Sequence, residues 1–261
     1  MIAVVDYQKG NLKSVERGLI AAGGEAFITA DASEIAKADA IVLPGVGAFA
    51  DAAATMCELG QMEAIRDRVR AGVPFLGICL GEHLMFEHGV EGAPEGNPAC
   101  GLGLLPGTVV AMPRYDAQGK AFKVPHVGWN TIEMPACNGG GKAVAVPPCG
   151  EGGGNAVLKQ SSLRSENAGG AFPDSAPQPG SDLAFACPLF DGIAPGEYFY
   201  FTHSYIAPTG SHTIAETTHS TRFTSAVQFG ECAFGVQFHP EKSSDAGARV
   251  LANFVAIAAR G

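Results

Sequence analysis

The stretch PFLGICLGEHLMFEHG, residues 74–89, places a cysteine at the end of an apolar run, with Gly77 and Gly81 on either side. A buried strand that stops on a nucleophile and turns straight into a helix exposes that side chain at the rim of a sheet. Flanking glycines let the neighbouring backbone close in. A helix N-terminus behind a thiol favours the thiolate. The N–H of Leu80 would then point where an oxyanion forms during acyl transfer. A thiol nucleophile needs a base, and the base needs a group to orient it. AFGVQFHPEKS, residues 233–243, offers both. Its apolar run ends at His239, Pro240 stops the strand, and Glu241 can fold back to accept from the imidazole and fix its tautomer. Cys79 alone reads equally well as a buried structural cysteine, and His239 or Glu241 alone as a turn residue. Their combination is what carries the chemistry. LPGVGAF, residues 43–49, ends a third apolar run with Gly45 and Gly47. Its backbone can approach a bound group, and a second oxyanion donor and a plain strand-to-helix turn are both open for it.

The elements that must position these residues alternate along the N-terminal half. IAVVDY (2–7), EAFIT (25–29), AIVLPG (40–45) and VPFLGIC (73–79) are short apolar runs of the kind found in buried parallel strands. Helical spacing lies between them over residues 11–22, 33–38 and 49–70, the last broken at Gly60, and a helix is expected over Leu80 to Glu87. Short crossovers of this kind give a doubly wound α/β sheet. The second half turns to β-structure over 104–112, 123–133, 196–205, 212–219, 224–230 and 233–239, and closes with an amphipathic helix over 243–259. Residues 136–186 are rich in glycine and proline, with GGG twice and PDSAPQPGSD. They are expected to be a partly disordered insertion within a single domain spanning 1–261. Met85 and Phe86 are expected in the core. His212 and His219 are expected to face solvent, with no metal role.

Composition narrows the function. Hydrophobic residues make up 46% of 261, enough for a sizeable core, and the net charge of −9 argues against a nucleic-acid partner. The seven cysteines are odd in number and form no C-x-x-C pair, which disfavours a disulfide framework or a cysteine-rich zinc site. There is no G-x-x-x-x-G-K-[ST] loop, and no G-x-G-x-x-G follows the first strand. A basic leader and an apolar run of membrane-spanning length are both missing, so the expected compartment is the cytoplasm, with no membrane partner.

The elbow, the distant H-P-E and LPGVG together resemble class I glutamine amidotransferases. DYQKGN (6–11), PHVGWN (125–130), YFTHSY (200–205) and VQFHPEKS (236–243) resemble, more narrowly, the glutaminase subunits (HisH) of imidazole glycerol phosphate synthase. The resemblance spans the chain except for about 136–186. It implies a flavodoxin-like class I amidotransferase fold, with a mostly parallel central sheet flanked by helices and a small additional antiparallel β element. It implies hydrolysis of L-glutamine without a cofactor, and ammonia supply to a (β/α)8-barrel cyclase, HisF, in a heterodimer of histidine biosynthesis. The cyclase product is imidazole glycerol phosphate, released with an aminoimidazole carboxamide ribotide. By resemblance, Cys79, His239 and Glu241 are catalytic. Gly45, Val46, Gly47 and Leu80 form the oxyanion site. His83, His203, Ser204 and Tyr205 contact substrate, and Tyr7, Gly10, Asn11, Trp129, Asn130 and Lys242 lie at or near the cyclase interface. Core packing is the competing reading for Trp129. A silent partner-binding subunit, a glutaminase of another pathway and a cysteine hydrolase using His83 or His88 are the rival functions.

One departure stands out. The family has G-x-C-x-G-M-Q at the elbow, where this chain has G-I-C-L-G-E-H. The family glutamine helps hold the substrate. His83 can offer one donor and one acceptor with a different reach. If charged, it would pair with the substrate α-carboxylate. Glu82 on the same turn would raise its basicity only if the two side chains met, which neighbours at i and i+1 do not. Weakened substrate binding with intact chemistry is therefore expected. Restoring glutamine at position 83 should lower the Michaelis constant for glutamine with little change in turnover, as steady-state kinetics of the complex would read.

Overall fold

The computed structural model describes residues 1–135 and 185–260, and these belong to one compact unit. The expected insertion therefore lies almost wholly outside the described residues. The first half runs β1 (Ile2–Val5), α1 (Leu12–Ala21), β2 (Ala26–Thr29), α2 (Ala32–Ile35), β3 (Ala40–Gly45), α3 (Phe49–Glu58), α4 (Gln61–Arg70), β4 (Phe75–Cys79) and α5 (Leu80–His83). There follow β5 (Phe86–Gly89), β6 (Ala99–Cys100), β7 (Leu105–Ala111), β8 (His126–Thr131), β9 (Tyr198–His203), β10 (Tyr205–Ile206), β11 (Thr213–Thr218), β12 (Arg222–Phe229), β13 (Ala233–Val236) and α6 (Ser244–Ala258). Among the described residues no helix is long and apolar enough to cross a membrane.

The central sheet has seven strands in the order β11-β12-β13-β4-β3-β1-β2. From β13 to β2 every pairing is parallel, and β12 and β11 extend one edge antiparallel. Strand alternation sorts the core into two layers. Ile2, Val4, Ala40, Val42, Leu76 and Ile78 pack with Val15 and Leu19 of α1 and Val250, Leu251 and Phe254 of α6. Ala3, Val5, Ile41, Leu43 and Phe75 pack on the other face with Ile35, Met56, Ile65 and Val69 of α2 to α4. Both faces are dry, which is why these strands read as unbroken apolar runs.

The additional β-structure is richer than one small antiparallel element. β8 pairs antiparallel with β9, and a separate four-stranded sheet runs β10-β7-β5-β6, with β5 and β7 parallel. The helix expected over Leu80–Glu87 is a correction. It stops after one turn, because Met85 O accepts from the N–H groups of Leu104 and Leu105, and Leu84 O accepts from Leu102. Those bonds draw residues 86–89 into β5, where the Phe86 side chain still reaches the core as expected, beside Met85. Gly60 breaks the long helical region as expected, with φ +68° between α3 and α4.

The glycines bracketing Cys79 have a steric cause. A Cβ on Gly81 would lie 1.8 Å from Leu43 O in β3, and one on Gly77 would lie 2.5 Å from Gly81 O. Gly81→Ala is expected to lose at least about 3 kcal/mol in chemical denaturation, because main chain cannot swing aside as a side chain can. Gly230→Ala meets open space at φ +60° and is expected to lose only about 1–2 kcal/mol, the cost of a left-handed alanine.

Candidate active site

Cys79 ends β4 and opens α5 with φ +55° and ψ −106°, a conformation L-residues avoid. Four glycine-dependent approaches hold it there. Besides Gly77 and Gly81, Gly45 pairs with Cys79 across the sheet, and a Cβ on Gly45 would meet the Tyr7 hydroxyl at 2.6 Å and Leu80 Cβ at 2.9 Å. A Cβ on Gly235 of the adjacent β13 would meet Glu82 Cγ at 2.7 Å. β13 lies parallel to β4, with Val236 opposite Ile78, so both strands deliver their C-terminal ends to the same rim. Cys79 and His239 therefore emerge side by side, though far apart in sequence.

His239 Nδ1 lies 3.0 Å from Glu241 Oε1, and both side chains are nearly inaccessible. Burial pulls the imidazolium down. The Cys79 sulfur and the Glu241 carboxylate more than reverse this, and His239 is pushed up to about 9. The backbone holds the ring in place: His239 N–H donates to Tyr200 O at 2.9 Å, and Ser243 Oγ donates to His239 O at 2.6 Å. Among the described residues, His239 Nε2 has the Cys79 sulfur as its neighbour rather than a nitrogen or oxygen partner.

A cleft of about 440 Å³ opens over Cys79 and His239. Val46, Gly47, Leu80, His83, His203, Ser204 and Tyr205 line it, so the structure gathers these sequence candidates at one site. Five neighbours were missed from sequence: Ala48, Glu91, Pro125 and Thr202 in the lining, and Gln237 beside Cys79. Gln237 and Thr202 stood inside motifs already singled out. Glu91 had no signal, since it arrives from beyond β5. Its carboxyl is raised by burial, offset in part by Phe49 N–H, with Asp51 raising it further.

His203 Nδ1 donates to Tyr205 O at 2.8 Å, so its Nε2 accepts from His126 Nδ1 at 3.0 Å. Burial holds His203 well below its ordinary range, and burial with nearby His219 brings His126 to about 4. His219 stacks on His126 with centroids 4.2 Å apart, and His212 packs edge-on to Phe86. Both are half-buried, correcting the expectation that they face solvent.

The structure decides between the alternatives at the elbow. Burial lowers His83 to about 4, opposed only in part by its bond to Gln237, so the ring is neutral and cannot pair with a carboxylate as a cation. Glu82 does not raise it: the Glu82 carboxyl points under β13, is fully buried, and has no partner on either oxygen among the described residues. The conformation of the oxyanion strand, which the sequence leaves open, is set by Tyr7. Val46 N–H donates to the Tyr7 hydroxyl at 3.0 Å, and that hydroxyl donates back to Val46 O at 3.3 Å. In this conformation the Val46 amide is not free to meet an oxyanion. Burial drives the Tyr7 phenol far up, so it keeps its proton.

Of the interface candidates, Tyr7 is fully buried, whereas Trp129 is 52% exposed, which excludes core packing for the tryptophan. Gly10 and Lys242 are exposed, and Asn11 and Asn130 are partly so. Asn130 Nδ2 donates to Thr218 O and approaches His126 Nε2.

The family model for class I glutamine amidotransferases matches residues 3–258, and the chain belongs to that family. It is 38% identical over 255 residues to the imidazole glycerol phosphate synthase subunit HisH of Moorella thermoacetica, covering 97% of this chain and 93% of the relative. It is 36% identical to HisH of Rhodopirellula baltica, covering 97% and 96%. Within the family it stands with these HisH subunits. Among solved structures, a glutamine amidotransferase superposes with a TM-score of 0.60 at 16% identity over 99% of this chain and all of that one. PurLQS from Thermotoga maritima superposes with 0.58 at 15% identity, covering 98% and 97%. At such identities these two likenesses support the fold alone.

The Glu82 carboxyl is raised well above its usual range, first by burial and then by the Cys79 charge. The folded state thus keeps a proton that the unfolded state has lost. Stability is full below the ordinary glutamate range and declines as pH rises above it, toward the folded value. Glu82→Met should therefore be the more stable protein at pH 8, by about 1–3 kcal/mol. The difference should shrink toward pH 5, which denaturant melts across that range would read.

Proposed function

We propose that this chain hydrolyses L-glutamine to glutamate and ammonia through a Cys79 thioester, and passes the ammonia to a cyclase subunit of the HisF kind, a (β/α)8 barrel, in a heterodimer making imidazole glycerol phosphate. The observation that carries this reading is the buried His239–Glu241 pair, 3.0 Å apart, set beside a cysteine on a strained elbow at the floor of a cleft. The thiolate attacks the substrate carboxamide carbon, and the carbonyl electrons move onto oxygen. The Leu80 N–H, one of the unpaired donors of the first helical turn, meets that oxygen. His239, charged at neutral pH, gives its proton to the nitrogen as the C–N bond breaks and ammonia leaves. It then takes a proton from the water that attacks the thioester, while Glu241 supports the imidazolium. Glu91 is the acidic side chain among the cleft-lining residues and suits the substrate ammonium. Backbone of residues 203–205 lies against the other substrate α-group.

Two features support a partner. Val127, Trp129 and Tyr198 stand 52–56% exposed on the β8–β9 ribbon, apolar surface that a lone domain normally covers. Lys242 lies over the Tyr200 ring of the same ribbon at 5.9 Å. The exposed Gly10–Asn11 turn is continuous with Tyr7, so a partner seated there can draw the phenol from Val46 and free the amide for the oxyanion. The cytoplasm is the compartment this reading implies.

Glutamate release from glutamine, with the cognate cyclase and its nucleotide ligand present, tests the reading. Activity requiring both the partner and Cys79 supports it. A complex that forms yet releases no glutamate would leave the silent-subunit alternative. Tyr7→Phe removes the hydroxyl that occupies Val46 and is expected to raise partner-free glutamate release by about tenfold, part of the 10²–10³ that one oxyanion donor supplies.

A further inference from the structure

Beside the triad lies a buried polar pair that the mechanism above leaves without a role. His83 comes from the turn behind Cys79 and Gln237 from just before His239, and they are 3% and 0% exposed. His83 Nε2 lies 2.6 Å from Gln237 Oε1. A carboxamide oxygen can only accept, so His83 Nε2 carries the hydrogen. The other end of the same amide, Gln237 Nε2, donates to Cys79 Sγ at 3.6 Å. The amide is thereby polarised in one direction. Turned over, it would set an oxygen lone pair against the sulfur, and His83 would have to take the other tautomer so that Nε2 accepts.

The sulfur has a second neighbour with the opposite preference. Thr202 O lies 3.9 Å from Cys79 Sγ, where it can accept from a thiol and repels a thiolate. The Gln237 N–H stabilises the thiolate and gives a thiol little. The state of the nucleophile is thus set by a backbone carbonyl on one side and an oriented amide on the other, in addition to His239.

We propose that His83 is a positioning residue for the nucleophile: through Gln237 it aims a neutral N–H donor at Cys79 Sγ and holds the sulfur in its reactive form. This rests on Cys79 being the nucleophile. The histidine at the elbow then does more than replace a substrate contact. It locks the orientation of an amide that would otherwise choose between two faces.

The test is the alkylation rate of Cys79 by iodoacetamide in the full chain, followed peptide by peptide in mass spectra from pH 6 to 9, with exposed Cys57 as internal reference. His83→Leu and Gln237→Leu are each expected to slow Cys79 at pH 7 by about five- to tenfold and to move its reactivity profile to higher pH. The double variant should be no slower than Gln237→Leu alone, because the two act through one interaction. His83→Gln keeps a donor at this place and should stay within about twofold of the parent. Thermal melts report whether each variant is folded. Should His83→Leu fail to fold, Gln237→Asn, which pulls the amide back by one methylene, must slow Cys79 in its place. Parent-like alkylation in His83→Leu or Gln237→Asn, or a double variant slowed by the product of the single effects, overturns the proposal. Cys79 reacting no faster than Cys57 in the parent protein overturns it together with the nucleophile assignment. A fast parent Cys79 indifferent to His83 overturns the positioning role alone.

Discussion

Everything at this site depends on how closely β3, β4 and β13 approach the turn after Cys79. The carbonyl of Leu43 lies where a Cβ of Gly81 would be, and the carbonyl of Gly81 lies where a Cβ of Gly77 would be. Dense backbone packing holds Cys79 at positive φ, since relaxing the turn would drive main chain into main chain. The strain at Cys79 is therefore carried by the sheet, which keeps the nucleophile at the rim. The parallel pairing of β13 with β4 sets His239 beside it. The triad is in this sense a property of strand order.

A second layer of order surrounds the triad and is polar. His83, Gln237, His126 and His203 are all buried, and each has its hydrogen-bond roles fixed by a neighbour that can only accept or only donate. Because these rings are neutral, charge near the sulfur comes from His239 and Glu241. Glu82 is the exception to this satisfaction, a neutral acid with no partner among the described residues, tucked against Gly235 and Met85.

Much of this was legible in the sequence, for physical reasons that can be named. Strands buried on both faces leave continuous apolar runs, so β1, β3 and β4 stood out. The elbow glycines and H-P-E announced the triad because each residue type there has a stereochemical job. The short helix after Cys79 was misread because Met85 and Phe86 suit a helix as well as they suit β5; hydrogen bonds from residues 102–105, remote in sequence, decide it. The direction of His83 was equally hidden. Its neighbour in space is Gln237, and the resulting neutrality follows from burial, which spacing along the chain does not reveal. Glu91 was invisible because it reaches the cleft from an irregular segment. The burial of Tyr7 was hidden because its motif is a turn: Gln8, Lys9 and Gly10 beside it are exposed, while Tyr7 alone of the motif is fully buried.

The β8–β9 ribbon is closed by its own ends. Ile132 N–H donates to Glu197 O, Gly196 N–H donates to Ile132 O, and Glu133 is bridged to Glu216 on β11. The ribbon's register is thus clamped on the near side of the point where the chain departs toward residue 136. The clamp isolates the catalytic base from the chain beyond residue 135: the register that brings Tyr200 O to His239 is set before the polypeptide leaves the described β-structure.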